Sequence, residues 1–183
     1  IGYARSMLIH YLDHFQPWFL FIRGDGNPKF SLQDVGQLYL IEFPFLLTGL
    51  FFVMKKYPRE GTLLLLWLLL AILPASVAKE TPHALRIENT LPVWQVFTAF
   101  GILGCIAGIK SRKGKAVAFS ALSAAYFLSV SYFLHNYRNH YPREYSGEWQ
   151  YGYREAVRYA ESVKSSYDRI VLTESIGRPY MYV

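Results

Sequence analysis

The chain has 183 residues, a net charge of +6, one cysteine and 52% hydrophobic residues. The apolar residues cluster into runs close to the roughly 17–25 residues that a bilayer crossing needs, which excludes an ordinary soluble domain for most of the chain. Cys105 alone excludes an internal disulfide framework, and the positive charge is packed into two short turns, so nucleic acid is not an expected partner.

The first stretch, ARSMLIHYLDHFQPWFLFI, mixes aromatic residues with His10, Asp13 and His14. It predicts an amphipathic helix lying at the outer membrane interface. The polar turn RGDGNPKF follows, so residues 1–34 read as an external helix and loop. His10 and His14 have the spacing of a metal pair on one helical face. Only Asp13 stands near them in sequence, and no metal site is expected there. His135 and His140 bracket a later loop and carry no more weight. In the turn, Arg23, Asp25 and Lys29 supply charge, while Gly24, Gly26 and Pro28 serve as backbone punctuation.

Four spans are expected at about 35–54, 62–78, 93–109 and 116–134, giving a four-helix transmembrane region over 35–134. The turns KKYPREG and KSRKGK hold three and four Lys or Arg, seven in 13 residues. The flanks 15–34, 79–92 and 135–154 hold seven across 54 residues. The dense basic turns should face the cytoplasm. Residues 1–34, the 79–92 loop and everything after 134 then lie outside, in a multi-pass protein of the cell membrane with both ends of this chain external. Trp18, Tyr39, Trp94, Tyr132, Tyr137 and Tyr141 crowd the outer edges, as interface belts do.

Two places in this region hold chemistry. Glu42, in LYLIEFPFLL, is read about seven residues into the first span, roughly 10 Å below its outer edge. Ionisable groups at such depth are costly and are usually paired or functional. Pro44 beside it loosens the local backbone bonding. The loop TPHALRIENTLP brings His83 and Arg86 onto one helical face. An arginine at the outer leaflet suits a phosphate, although a snorkelling Arg86 and a capping His83 would also account for the pattern. Arg86 enters from the same side as Glu42 and is its expected partner.

After Pro142 the character becomes soluble. Tyr153, Ala156, Val157, Ala160 and Val163 recur at helical spacing, DRIVLTE reads as a buried strand, and Gly177 and Pro179 mark a turn. Residues 135–183 are therefore expected to begin a small external α/β domain. Trp149, Tyr151 and Tyr153 could stack on sugar rings, but core or membrane contact is the commoner use. The chain opens at Ile1 without a methionine and closes on PYMYV, which reads as a piece of a longer protein. It has no Walker loop, HExxH, GxSxG or GxGxxG.

Several strings, taken in order, resemble one family. YLDHFQPWFLFIRGDGNPKFS, GQLYLIEFPFLL, PHALR followed by TLP, and HNYRNHYPREYSGEWQYGYREAV are similar to bacterial polytopic glycosyltransferases. These are related to protein O-mannosyltransferases and to the lipid A aminoarabinose transferase, with the GT-C architecture. The resemblance runs along nearly the whole chain and covers the C-terminal part of such an enzyme. It implies transfer of a sugar from a polyprenyl-phosphate donor to a protein, lipid or glycan acceptor on the external face. Its catalytic carboxylate is expected upstream of this chain. It implies His83, Arg86 and Lys29 near the donor phosphate, with Glu42, His14 and Asp25 supporting them. No cofactor is assigned; the polyprenyl-phosphate sugar is the expected donor substrate, membrane lipid is an expected partner, and a divalent metal requirement is left open. The family turn usually reads NPRHS; here it is NPKFS, so Lys29 keeps a charge while Phe30 replaces an imidazole. The other readings are a lipid or solute transporter or flippase, and a non-catalytic membrane anchor for an external domain.

Overall fold

The computed structural model describes residues 2–171. It divides into two units, Ile1–Leu134 and His135–Val183. In the first, α1 (Gly2–Asp13) is followed by a short wide turn at Trp18–Ile22 that buries Phe19, Leu20 and Phe21. Four helices come next: α2 (Glu42–Lys56), α3 (Pro58–Ser76), α4 (Leu91–Gly108) and α5 (Arg112–His135). Pro58 and Pro92 sit in the first turns of α3 and α4, where a proline's missing N–H costs nothing.

Three segments are long and apolar enough to cross a membrane: Pro58–Ser76, Leu85–Gly108 and Arg112–Glu144. The fourth expected span is corrected. Residues 35–41 are not helical. They fold back on the Trp18–Ile22 turn, where the Gln37 and Leu38 N–H groups donate to the Phe19 and Leu20 carbonyls at 3.4 and 2.8 Å. Gly36 allows this, since a Cβ there would meet the Leu20 and Phe21 backbone. Helix α2 therefore starts only at Glu42 and has 15 residues, about 22 Å of rise. An apolar extended segment next to an apolar helix carries the same hydropathy as one longer helix.

Helix α2 packs most closely on α4, and the two run parallel. A Cβ at Gly49 would strike the Phe97 carbonyl, and one at Gly101 would strike the Phe45 carbonyl. Glycine at both places brings the two backbones together, the usual device where lipid supplies no hydrophobic drive. Val53, Ile72, Val93 and Phe97 fill the core beside this contact. Helix α5 buries none of its side chains. The N-terminal ends of α2 and α4 lie at the end that carries the 79–92 loop.

The second unit is helical among its described residues. Turns at Asn136–His140, Tyr141–Glu144 (α6) and Ser146–Trp149 lead to α7 (Tyr153–Val163). Helix α7 has the expected apolar face, with Val157 buried. Residues 168–171 form no strand. The rest of the predicted strand, Leu172 to Glu174, and the turn at Gly177 and Pro179 lie outside the described residues, so the described part contains no α/β domain.

Candidate functional site

The 79–92 loop is clasped to the N-terminal segment by buried polar side chains. Gly24, at φ +76°, turns the chain so that Asp25 points inward; a Cβ there would also meet Ser31 Oγ at 2.5 Å. Asp25 is 3% exposed. Its Oδ1 accepts the Asn27 N–H at 2.8 Å, closing a local turn, and its Oδ2 accepts the Ala84 N–H at 2.7 Å. Gln33 Nε2 donates to the Asp25 carbonyl at 2.7 Å. One carboxylate thus satisfies a local backbone donor and one 59 residues away, both half-buried.

His14 is fully buried and works from the other side. Its Nδ1 lies 2.8 Å from the His10 carbonyl, and its Nε2 lies 3.2 Å from the His83 backbone nitrogen. A carbonyl only accepts and an N–H only donates, so His14 is neutral with its proton on Nδ1. Burial holds its pKa below the usual histidine range, against smaller opposing pulls from the His10 carbonyl and Asp13. Thr81 Oγ1 donates to Asp13 Oδ2 at 2.9 Å, fastening the loop a second time.

His83 is buried, not open to a ligand. Its Nδ1 has no hydrogen-bond partner and stands 3.7 Å from Asp25 Oδ2, an electrostatic contact too long for a hydrogen bond. The Phe30 ring lies against it, centroid to centroid 4.7 Å. The aromatic ring in NPKFS therefore has a use here: it covers the His83 imidazole. Lys29, next to it, is exposed. Arg86 is also exposed, and its Nη1 donates to the Glu80 carbonyl at 2.8 Å.

Glu42 does not meet Arg86, which corrects the expected pair; no ion pair joins them among the described residues. Glu42 opens α2 instead of lying deep in a span. Its Oε2 accepts the Tyr39 N–H at 2.9 Å, a side chain reaching back three residues as in a capping box. Its Oε1 accepts the Tyr126 hydroxyl of α5 at 3.0 Å. The charge also suits the positive end of the helix dipole. Pro44 falls in the first turn of α2, where it breaks no bond.

Two cavities lie at this end. One of about 300 Å³ sits under the loop, bounded by Leu20, Phe30, Gln37, Leu85, Glu88 and Trp94. The other, about 220 Å³, is lined by Gln37, Tyr39, Glu42, Gln95 and Phe133. Gln37 borders both. So His14, Asp25 and His83 come together with Phe30 against His83, Lys29 stays exposed, and Glu42 belongs to a separate place with Tyr126 and Gln95. Sequence reading missed Gln37, Gln95 and Tyr126. A lone amide in VWQVFTAF was the available signal, because polar groups within apolar spans need a reason. No group of residues with metal-ligand arrangement occurs among the described residues.

These features define a helical protein with three segments able to span a bilayer and a polar, clasped end. No family model, no curated protein and no solved structure matches the chain.

Proposed function

We propose that the chain is part of a polytopic membrane glycosyltransferase that moves a sugar from a polyprenyl-phosphate carrier to a protein, lipid or glycan acceptor. One observation carries the reading. The two polar loops that share the family resemblance, RGDGNPKFS and PHALR, are tied together where the Asp25 carboxylate accepts the Ala84 N–H, and each has an exposed cation, Lys29 and Arg86. A leaving phosphate gains stabilisation from cations held in place before the reaction. Arg86 fits the role because a guanidinium has five donors, of which one meets the Glu80 carbonyl. His83 positions the loop and does not touch phosphate. In this reading the clasped end faces outside, the apolar surfaces of the helices hold the polyprenyl chain, and the general base lies elsewhere in the enzyme.

The test is transfer by the full-length protein from a polyprenyl-phosphate sugar. Arg86→Ala should lower the rate roughly a hundredfold with the fold intact, and Arg86→Lys should recover part of it. Unchanged transfer in Arg86→Ala removes the phosphate role. An anchor without catalysis is the second reading. The internal bonds of His14, Asp25 and Thr81 favour it, since they account for much of the loop's polarity without a ligand. It expects no transfer by the wild type. A transport path has no such support: the membrane-length helices carry no charged residue in their middle turns.

A further inference from the structure

We propose that the end of the helices opposite the 79–92 loop is a seat for anionic phospholipid headgroups. At that end Lys55, Lys56 and Arg59 lie where α2 turns into α3. Lys110, Arg112, Lys113 and Lys115 lie where α4 turns into α5. The two turns hold seven of the chain's 19 Lys and Arg but, in Glu60, one of its 13 Asp and Glu. They therefore carry the whole net charge of +6, and the other residues have twelve of each sign. This seat is independent of any sugar transfer.

The backbone contact between α2 and α4 sets the two turns in one layer. Gly49 lies against Gly101, and Gly104 takes the Phe52 ring. In the same register Lys56 comes level with Gly108, two residues short of Lys110. All seven cations are exposed, and none makes an ion pair among the described residues. Lys55 and Lys56 suit the negative end of α2, and their ammonium groups lie 5.7 and 5.4 Å from the ring centroids of Phe51 and Tyr57. The cations of α5 have no such reason. Arg112, Lys113 and Lys115 stand in its first turn, which has no acid, where the helix dipole repels positive charge. Membrane topology asks only that a turn be positive. It does not ask for charge set against the field of its own helix. The countercharge has to come from outside the chain.

The neighbouring surface selects the anion. Within about two turns of the cations, Phe51, Leu63, Leu103, Val117 and Phe119 are each more than 60% exposed. A phospholipid meets both features, with its phosphate on the cations and its acyl chains on the apolar collar. A nucleic acid or an acidic peptide matches the charge alone.

The experiment uses the full-length protein in phosphatidylcholine bilayers with a trace of spin-labelled phosphatidylglycerol or spin-labelled phosphatidylcholine. Electron paramagnetic resonance reads the share of each label held at the protein. One cation near an anionic surface contributes about a fivefold preference, so the whole lipid shell of wild type should favour phosphatidylglycerol roughly threefold. In about 1 M NaCl, where screening acts within about 3 Å, the preference should vanish. Arg112→Gln, Lys113→Gln and Lys115→Gln together should roughly halve it. Glu60→Gln removes the single acid of the two turns and should raise it, which keeps the seat testable if the triple variant misfolds. Lys79→Gln, at the opposite end, should leave it unchanged. The seat is disproved if the labels partition equally in wild type, if the triple variant or Glu60→Gln leaves the preference unaltered, or if Lys79→Gln lowers it as much as the triple variant does. It is also disproved if a short oligonucleotide abolishes the preference, which would assign the charge to nucleic acid.

Discussion

The two polar places at the clasped end are built from similar groups and differ in burial. At the clasp, Asp25 and His14 spend their bonding on backbone N–H groups and a carbonyl, and both are buried. At Glu42 each carboxylate oxygen takes one donor and the cavity beside it stays open. Each carboxylate oxygen takes one donor in both places; Asp25 is enclosed and ties two segments of the chain, while Glu42 is half-buried beside an open cavity. A polar residue in an apolar setting is therefore not in itself a sign of ligand binding. Its burial and its partners within the protein come first in the accounting.

The largest break in this comparison should come from Asp25→Ala. It leaves the half-buried Asn27 and Ala84 N–H groups without their partner, a loss of about 3 kcal/mol. Amide hydrogen exchange at Ala84 should then speed about a hundredfold; exchange within tenfold of wild type would mean the carboxylate does not hold the loop. Acidification should act on the same clasp through His14. The folded protein holds this imidazole below its unfolded value of 6.5, so the neutral form is favoured. Its contribution to stability is present above pH 6.5 and is lost as pH falls through the lower folded value. Exchange at the His83 amide, corrected for its intrinsic pH dependence, should rise below pH 6.5. A flat profile would show that the neutral imidazole is not what accepts this N–H. The open place should respond less. Tyr126→Phe removes one donor to a carboxylate that keeps another, costing about 1 kcal/mol in thermal unfolding. A change as large as that of Asp25→Ala would make Glu42 a fastening too. Arg86→Ala, whose exposed side chain makes one bond to a carbonyl, should shift stability by less than about 0.5 kcal/mol.

Much of this was legible in the chain. Hydropathy located α3, α4 and α5, because twenty or so apolar residues have few other uses. It misplaced the start of α2, since Val35 to Ile41 is as apolar in an extended segment as in a helix. The same error set Glu42 too deep and gave it the wrong partner. His14, Asp25 and His83 could each be picked out by type. Their meeting could not be read, because it joins positions 59 and 69 residues apart through backbone N–H groups, which carry no sequence signal. The Gly49–Gly101 contact was equally hidden: a glycine in an apolar run does not name its partner helix.

The shortness of α2 has a consequence for the surrounding lipid. About 22 Å of helix falls short of roughly 30 Å of hydrocarbon, and α2 is not among the three segments long enough to cross it. Its parallel backbone contact with α4 keeps it from sliding to share the deficit. Lipid beside α2 would have to thin to match it, with Lys55 and Lys56 reaching for headgroups. A dimple of that kind draws the aqueous boundary inward at the Glu42 end. A water-soluble group attached to a lipid could then come level with the start of α2 without leaving the membrane that carries its tail.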